Sequence, residues 1–136
     1  MKLNFTRIEE PFVFELSNEK GNTILIDASE DMGGKNKNLT PMQLLAGSLA
    51  GCMSIDVVLI LSKQKINPSS FSISIEAQRK EGQPSPFSAI HLKFVVSKDV
   101  PEDKLERAIR LSKEKYCSVS LSLNKDILIT HSIVYT

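Results

Sequence analysis

A long apolar segment, Leu44 to Leu61, constrains the fold of this chain more than any other feature of its sequence. Thr40 and Pro41 precede it, a pair typical of a helix start because threonine caps the first turn and proline fits the first helical position. Asn67-Pro68 marks an end, because a residue that precedes proline disfavours helical geometry. We therefore predict a helix from Pro41 to about Ile66 that is apolar, and hence buried, on most sides.

Alternating apolar and polar residues predict β-strands before and after this helix. Three strands precede it, two follow it as a hairpin, and a last strand comes after two further helical segments. A turn at residues 18–22 and a proline-containing loop at residues 80–86 separate the strands of two hairpins. We predict a single α+β domain over residues 1–136, with the order βββ-α-ββ-αα-β and the long helix packed on an antiparallel sheet.

The long helix is difficult to cover within a chain of 136 residues. One small sheet shields one side of it, so the other side needs a second layer, and an identical subunit is the simplest source. Gly47 and Gly51 lie four residues apart and indicate that another backbone packs closely here, which would offset the cost of glycine inside a helix, about 1 kcal/mol each. We therefore expect a symmetric homodimer.

Charge and composition argue against several classes of function. The net charge is +1 and the basic residues are scattered, so we expect no nucleic-acid partner. The N-terminus lacks the apolar core of a signal peptide, and Ser54 and Asp56 interrupt the apolar segment, so we expect a cytoplasmic protein that does not span a membrane. With two cysteines, two histidines and no phosphate-binding glycine loop, we expect no metal and no cofactor.

The chain has two cysteines, 65 residues apart. Cys52 lies inside the long apolar helix, and Cys117 follows a charged amphipathic helix. If the fold brings them together, they form a two-thiol redox site, because a disulfide needs Cα atoms within about 7 Å. If it keeps them apart, they are two ordinary buried cysteines, which is a common environment for this residue type.

Three other polar residues have both a functional and a structural interpretation. Asp56 lies one helical turn beyond Cys52 and could orient a catalytic group, but the favoured alternative is that it caps a backbone N–H or pairs with a basic side chain. His131 lies on the apolar face of the last strand, where a hydrogen-bonded structural histidine is favoured over a general base. We expect His91 to be exposed.

Two segments around the cysteines resemble a known family. Residues 40–52, TPMQLLAGSLAGC, and residues 115–119, KYCSV, are similar to the two cysteine motifs of the OsmC/Ohr family, the osmotically inducible and organic hydroperoxide resistance proteins. The predicted order of elements also matches, so the resemblance covers nearly the whole chain. Residues 54–58 and 129–132 resemble an uncharacterised OsmC-like branch more closely than the proven peroxidases.

The resemblance implies an OsmC-like fold, an intertwined homodimer with two active sites at its interface, and reduction of organic hydroperoxides in oxidative stress defence. By motif match, Cys52 is the thiolate that attacks the peroxide and becomes a sulfenic acid, and Cys117 condenses with it to a disulfide. A dithiol such as a lipoylated protein then reduces the disulfide. The implied partners are a second copy of the chain, an organic hydroperoxide and a dithiol reductant.

The first motif departs from the peroxidases at one position. They carry a glutamate directly after the proline, where this chain has Met42. They also carry an N-terminal arginine that pairs with the thiolate and that glutamate; Arg7 is the leading candidate for this catalytic role, and Arg79 is a second. Two functions stay open. The motif-placed cysteines favour a thiol-dependent hydroperoxide reductase, and Met42 favours a module that binds a small apolar or thiol ligand at the dimer interface.

Overall fold

The computed structural model describes residues 1–136 and has the predicted order of elements, βββ-α-ββ-αα-β. The chain divides into two compact units, Met1–Leu45 and Ala46–Thr136. The single domain that we predicted from the sequence stays a prediction. The strands and α-helices are β1 (Leu3–Glu9), β2 (Val13–Asn18), β3 (Thr23–Ile26), α1 (Pro41–Ser62), β4 (Phe71–Arg79), β5 (Phe87–Val96), α2 (Glu102–Leu111), α3 (Ser118–Ser122) and β6 (Leu128–Tyr135).

The first unit contains an antiparallel sheet of order β1-β2-β3. The predicted hairpin between β2 and β3 is present, and the side chain of Asn18 closes its turn by accepting the backbone N–H groups of Lys20 and Asn22, each at 3.0 Å. Asx turns of this kind explain why asparagine is favoured there. All residues of β1 are exposed, including Leu3 and Phe5, so the apolar side chains of this strand are not covered within the chain.

A buried carboxylate organises the segment that follows β3. Asp27 is 1 % exposed and accepts the backbone N–H groups of Ala28 at 2.8 Å and Lys35 at 2.9 Å. Between these two donors the chain forms a short 3₁₀ turn, Glu30–Met32. Gly34 passes so close to the Ala28 carbonyl oxygen that a Cβ atom at this position would overlap it.

Helix α1 begins where the sequence predicts. Thr40 and Gln43 form a capping box, in which Gln43 N donates to Thr40 Oγ1 at 3.4 Å and Thr40 N donates to Gln43 Oε1 at 2.9 Å. The helix ends at Ser62, earlier than the predicted Ile66. Lys65 has a left-handed φ of 61°, and Ile66 N donates back to Leu61 O at 3.1 Å, so the chain turns out of the helix before Asn67.

Only one face of α1 is buried, so the expectation of burial on most sides does not hold within the single chain. Its opposite face is open, with Ile55 71 % and Leu59 52 % exposed. Gly47 and Gly51 also face open space, because a Cβ atom added to either glycine would meet nothing within 4 Å, and the close neighbour predicted for them is absent from the chain. The buried side chains are Ala46, Leu49, Ala50, Met53, Val57 and Leu61.

Helix α1 is long and apolar enough to cross a membrane, with a mean hydropathy of 2.1 over its most apolar stretch, of which 33 % is buried. The core helix of a soluble protein can have the same length and hydropathy, so these two properties alone do not make α1 a membrane span. The absence of a membrane span stays a prediction.

The second unit contains a mixed sheet of order β4-β5-β6, not the antiparallel sheet that we predicted. Strands β4 and β5 form the expected antiparallel hairpin, but β6 pairs with β5 in parallel. The physical reason is the connection: α2 and α3 carry the chain back along the sheet before β6 begins, and a long helical crossover of this kind joins parallel strands. The core of this unit consists of buried side chains from α1, β5 and α2.

Candidate functional site

Cys52 and Asp56 lie one turn apart on α1, at the border between its buried and exposed faces. Each is half-buried, whereas Met53 and Val57 beside them are fully enclosed. Because side chains four residues apart lie above one another on a helix, the rigid backbone of α1 fixes the thiol and the carboxylate on the same face.

An irregular turn after α2 positions Cys117 in the site. After α2 the chain makes a single π-helical turn, Ser112–Tyr116, and Cys117 N donates to Ser112 O at 2.8 Å to close it. Cys117 is also the N-cap of α3, since its sulfur accepts the backbone N–H of Ser120 at 3.3 Å. Single π-helical turns are frequent at functional sites because they displace side chains from the regular helical path. Here the turn ends at the second cysteine.

The structure brings the two cysteines together. The sulfur atoms of Cys52 and Cys117 and a carboxylate oxygen of Asp56 all lie within 4.8 Å of one another, and both cysteines are free thiols. A disulfide bond is about 2.05 Å long, so the two sulfur atoms, which lie within 4.8 Å of each other, need to approach by at most about 2.7 Å to form it. Of the two arrangements left open by the sequence, this is the paired one, and the catalytic roles of the two residues stay predictions.

The two thiols differ in their surroundings. Cys117 is fully buried, and burial raises the pKa of its thiol from an ordinary 9.0 to about 11, with a further contribution from the hydrogen bond to the Cys52 side chain. The backbone N–H groups of Ser120 and Val119 act in the opposite direction but do not offset these effects. Cys117 is therefore a neutral thiol at neutral pH.

Asp56 has a partner that the sequence did not indicate. Ser112, which is fully buried, donates its hydroxyl to Asp56 Oδ2 at 2.8 Å. We expected a backbone N–H or a basic side chain, and the structure supplies a serine from the π-helical turn instead. A serine after an amphipathic helix is common in turns, so nothing in the local sequence identified Ser112 as part of the site.

An open groove of about 620 Å³ adjoins the carboxylate of Asp56. The apolar part of its lining comes from α1, α2 and the π-helical turn, and the polar part consists of Asp56, Lys63, Gln64 and Arg107, of which Lys63 and Arg107 are basic. Neither basic residue was predicted from the sequence to belong to the site. Asp56, Ile60 and Lys63 have the helical spacing that places residues on one face, but that spacing does not show which face of α2 lies opposite.

The predicted arginines have other partners. Arg7 lies on β1 in the first unit, 53 % exposed, with its guanidinium 3.8 Å from Glu10, so its catalytic role stays a prediction. The Nε atom of Arg79 donates to the Ser85 carbonyl at 2.7 Å and thereby holds the loop between β4 and β5. This bond gives Arg79 a structural role in that loop.

Both histidines have hydrogen-bond partners. Nε2 of His131 lies 3.1 Å from the Glu106 carboxylate, in agreement with the favoured structural interpretation. His91 is half-buried instead of exposed: its two ring nitrogens contact the hydroxyl groups of Thr130 at 2.8 Å and Ser132 at 2.9 Å. The parallel pairing of β6 with β5 creates these contacts, and the sequence prediction assumed an antiparallel sheet.

Comparison with known proteins identifies the family. The family of OsmC-like proteins matches residues 34–132. The protein YhfA of Escherichia coli K12 is 36 % identical over 124 residues, which are 90 % of each chain. A hypothetical protein from Aquifex aeolicus has a solved structure that is 29 % identical, with a TM-score of 0.79, and the match covers 99 % of this chain and 96 % of the other.

A more distant structure shares the fold. The organic hydroperoxide resistance protein OsmC of Legionella pneumophila is 16 % identical, with a TM-score of 0.72, and the match covers 98 % of this chain and 96 % of that one. At this identity the likeness shows the architecture alone. Together, the family match over residues 34–132, the identity to YhfA and the shared α+β architecture show that this chain belongs to the OsmC-like protein family.

Proposed function

We propose that this protein reduces organic hydroperoxides with the thiol pair Cys52 and Cys117. The observation that carries the proposal is that two free sulfur atoms from distant parts of the chain lie within 4.8 Å of each other. The structural likeness to an organic hydroperoxide resistance protein of Legionella pneumophila agrees with this chemistry. The reaction is Cys52–SH + ROOH → Cys52–SOH + ROH, followed by Cys52–SOH + Cys117–SH → disulfide + H₂O.

The different surroundings of the cysteines support the assignment of their roles. Cys52 is half-buried, so a peroxide can reach it. Cys117 is enclosed and neutral at neutral pH, and the thiolate is the nucleophilic form, so Cys117 is poorly suited to attack a peroxide first. Its position favours the later step, in which it meets a sulfenic acid already held beside it.

The groove next to Asp56 is an argument that the substrate is an organic hydroperoxide. Its apolar walls, which include Leu59, Ile60 and Leu111, suit the carbon chain or ring of an organic hydroperoxide. Hydrogen peroxide has no apolar part that such walls could bind.

A dithiol, such as a lipoylated protein, then reduces the disulfide, and the reaction takes place in the cytoplasm.

Uncovered apolar surface supports a second copy of the chain as a partner in this function. The open face of α1 carries Ile55 and Leu59, and two glycines on the helix leave room for another backbone. Strand β1 exposes further apolar side chains, including Phe5. We propose an intertwined homodimer that covers these surfaces and in which Arg7 from the N-terminal strand serves the thiolate of Cys52.

The proposed reaction can be tested by counting thiols. Reduced protein is treated with one equivalent of cumene hydroperoxide, and we expect mass spectrometry to show loss of both thiols and one intrachain disulfide. In Cys117→Ser the reaction should stop at a sulfenic acid on Cys52, which dimedone traps, whereas Cys52→Ser should not react. Oxidation of the two cysteines independently of each other, or of neither, would rule out the two-cysteine mechanism.

A binding module is the second candidate, and the observation that favours it is Met42 in the place of the glutamate of the peroxidases. In this case the groove holds a small apolar or thiol ligand without turnover. Steady-state consumption of cumene hydroperoxide with dihydrolipoamide as reductant separates the two functions. A binding module would give no turnover but would retain a saturable affinity for an apolar thiol.

A further inference from the structure

Three side chains at the centre of the site belong to residue types that commonly bind metal ions, and their donor atoms lie close together. The sulfur atoms of Cys52 and Cys117 and one carboxylate oxygen of Asp56 lie within 4.8 Å of one another. In a tetrahedral zinc site, bond lengths of about 2.3 Å to sulfur and about 2.1 Å to oxygen place neighbouring ligands roughly 3.6–3.8 Å apart. The three groups therefore need to close by about 1 Å or less to share one ion.

The types of donor select the metal. Two thiolates are soft ligands, which favour zinc over calcium or magnesium, since those ions prefer six or more oxygen ligands. Three protein ligands leave one tetrahedral position for water or a small ligand. Because coordinating thiols are deprotonated, the ligands carry three negative charges within a few ångströms, and a divalent cation offsets most of them.

The residues around the donors hold them in place. Ser112 donates to Asp56 Oδ2 at 2.8 Å and so orients the carboxylate, and Ser120 N donates to the sulfur of Cys117 at 3.3 Å. Hydrogen bonds from outer residues to the ligands are a regular part of metal sites, where they fix the ligand geometry. The third donor, Cys52, is held by the rigid backbone of α1, on which it lies one turn before Asp56.

We propose that the reduced protein binds one zinc ion through Cys52, Asp56 and Cys117. The site goes beyond the proposed peroxide chemistry and does not depend on it, because it uses the thiols only as ligands. Zinc and the disulfide exclude each other, since a disulfide removes two of the three donors. Zinc therefore protects the reduced pair from alkylation and from peroxide.

The test is metal binding by the full-length reduced protein under anaerobic conditions, without any peroxide. Zinc is titrated against a chromophoric chelator, and cobalt(II) is added separately as a spectroscopic probe. We expect one zinc ion per chain, thiolate-to-cobalt charge-transfer bands with tetrahedral d–d bands, and no displacement by a large excess of magnesium. A cobalt spectrum without sulfur charge transfer in the wild-type protein overturns the proposal, and this measurement needs no variant.

A matched pair of variants tests the third ligand. Asp56→Asn keeps an oxygen that can accept from Ser112 but binds metal poorly, and we expect it to weaken zinc affinity at least tenfold. Asp126→Asn removes an exposed carboxylate outside the cluster and should leave the affinity unchanged. Equal affinity in Asp56→Asn and the wild type would show that Asp56 is not a ligand. Failure of zinc binding leaves the cumene hydroperoxide result unaffected, so the two proposals fail independently.

Discussion

At the scale of single residues, the site combines two thiols whose environments differ. Cys52 has solvent access, whereas Cys117 is enclosed and accepts a backbone N–H from the first turn of α3. Asp56 lies close to both sulfur atoms and is oriented by a buried serine hydroxyl. The positions of these four residues on one helix and one irregular turn give the site a fixed geometry before any ligand binds.

We predict that Cys52→Ala lowers the pKa of Cys117 from about 11 but leaves it above 9.0. Burial is the largest cause of the raised pKa and persists in the variant, whereas the effect of the Cys52 side chain is lost. Since Cys117 is then the sole thiol, ultraviolet thiolate absorbance as a function of pH measures its pKa directly. A value at or below that of the same variant unfolded in guanidinium would contradict the structure.

The same pKa predicts how stability depends on pH. A pKa that is higher in the folded state than in the unfolded state favours the neutral thiol of Cys117 on folding. The contribution to the free energy of unfolding is therefore complete below pH 9.0 and is lost as the pH rises towards about 11. In the Cys52→Ala variant, this loss should end at a lower pH.

At the scale of secondary-structure elements, local chemistry explains the boundaries. Thr40 and Gln43 start α1 with a reciprocal pair of hydrogen bonds, and a left-handed Lys65 turns the chain out after its last turn. Between β3 and α1, the carboxylate of Asp27 accepts hydrogen bonds from two backbone N–H groups of a polar loop. That loop closes only because Gly34 lets the backbone approach the Ala28 carbonyl.

We predict that Gly34→Ala destabilises the protein by several kcal/mol, on the order of 2–4, because its methyl group would overlap a backbone oxygen and force the loop apart. Ser29→Ala is the matched control in the same loop, since the side chain of Ser29 makes no capping hydrogen bond. Urea denaturation of both variants measures the difference. A Gly34→Ala variant as stable as Ser29→Ala would show that the loop does not need this close approach.

At the scale of the whole molecule, the dominant feature is apolar surface that one chain leaves uncovered. The open face of α1 and the outer strand β1 carry large apolar side chains. Exposed patches of this kind commonly mark interfaces with other proteins. A second copy related by twofold symmetry would cover the same surfaces on both chains at once.

We predict that the protein is a dimer at micromolar concentration and that Ile55→Lys shifts it to monomer. Ile55 is the most exposed apolar residue of α1, and a charge there would be buried without a partner in a helix-mediated interface. Asn22→Lys adds the same charge in the exposed turn between β2 and β3 and should leave the dimer intact. Analytical ultracentrifugation decides the outcome, and a monomeric wild-type protein would refute the predicted interface.

The sequence alone determined those features that depend on short-range patterns. The start of α1 follows from threonine and proline, the hairpins follow from alternation and turn residues, and the two cysteine motifs indicate the family. These signals are readable because capping, periodicity and turn chemistry act between residues that are close along the chain.

Only the tertiary structure decided how distant elements meet. The parallel pairing of β6, the hydrogen bond from Ser112 to Asp56 and the convergence of Cys52 with Cys117 each join residues separated by tens of positions. The one-sided burial of α1 likewise depends on which surfaces surround it, because its own sequence is apolar on nearly every side. Such contacts arise from the packing of whole faces, and a local sequence pattern specifies a face but not its partner.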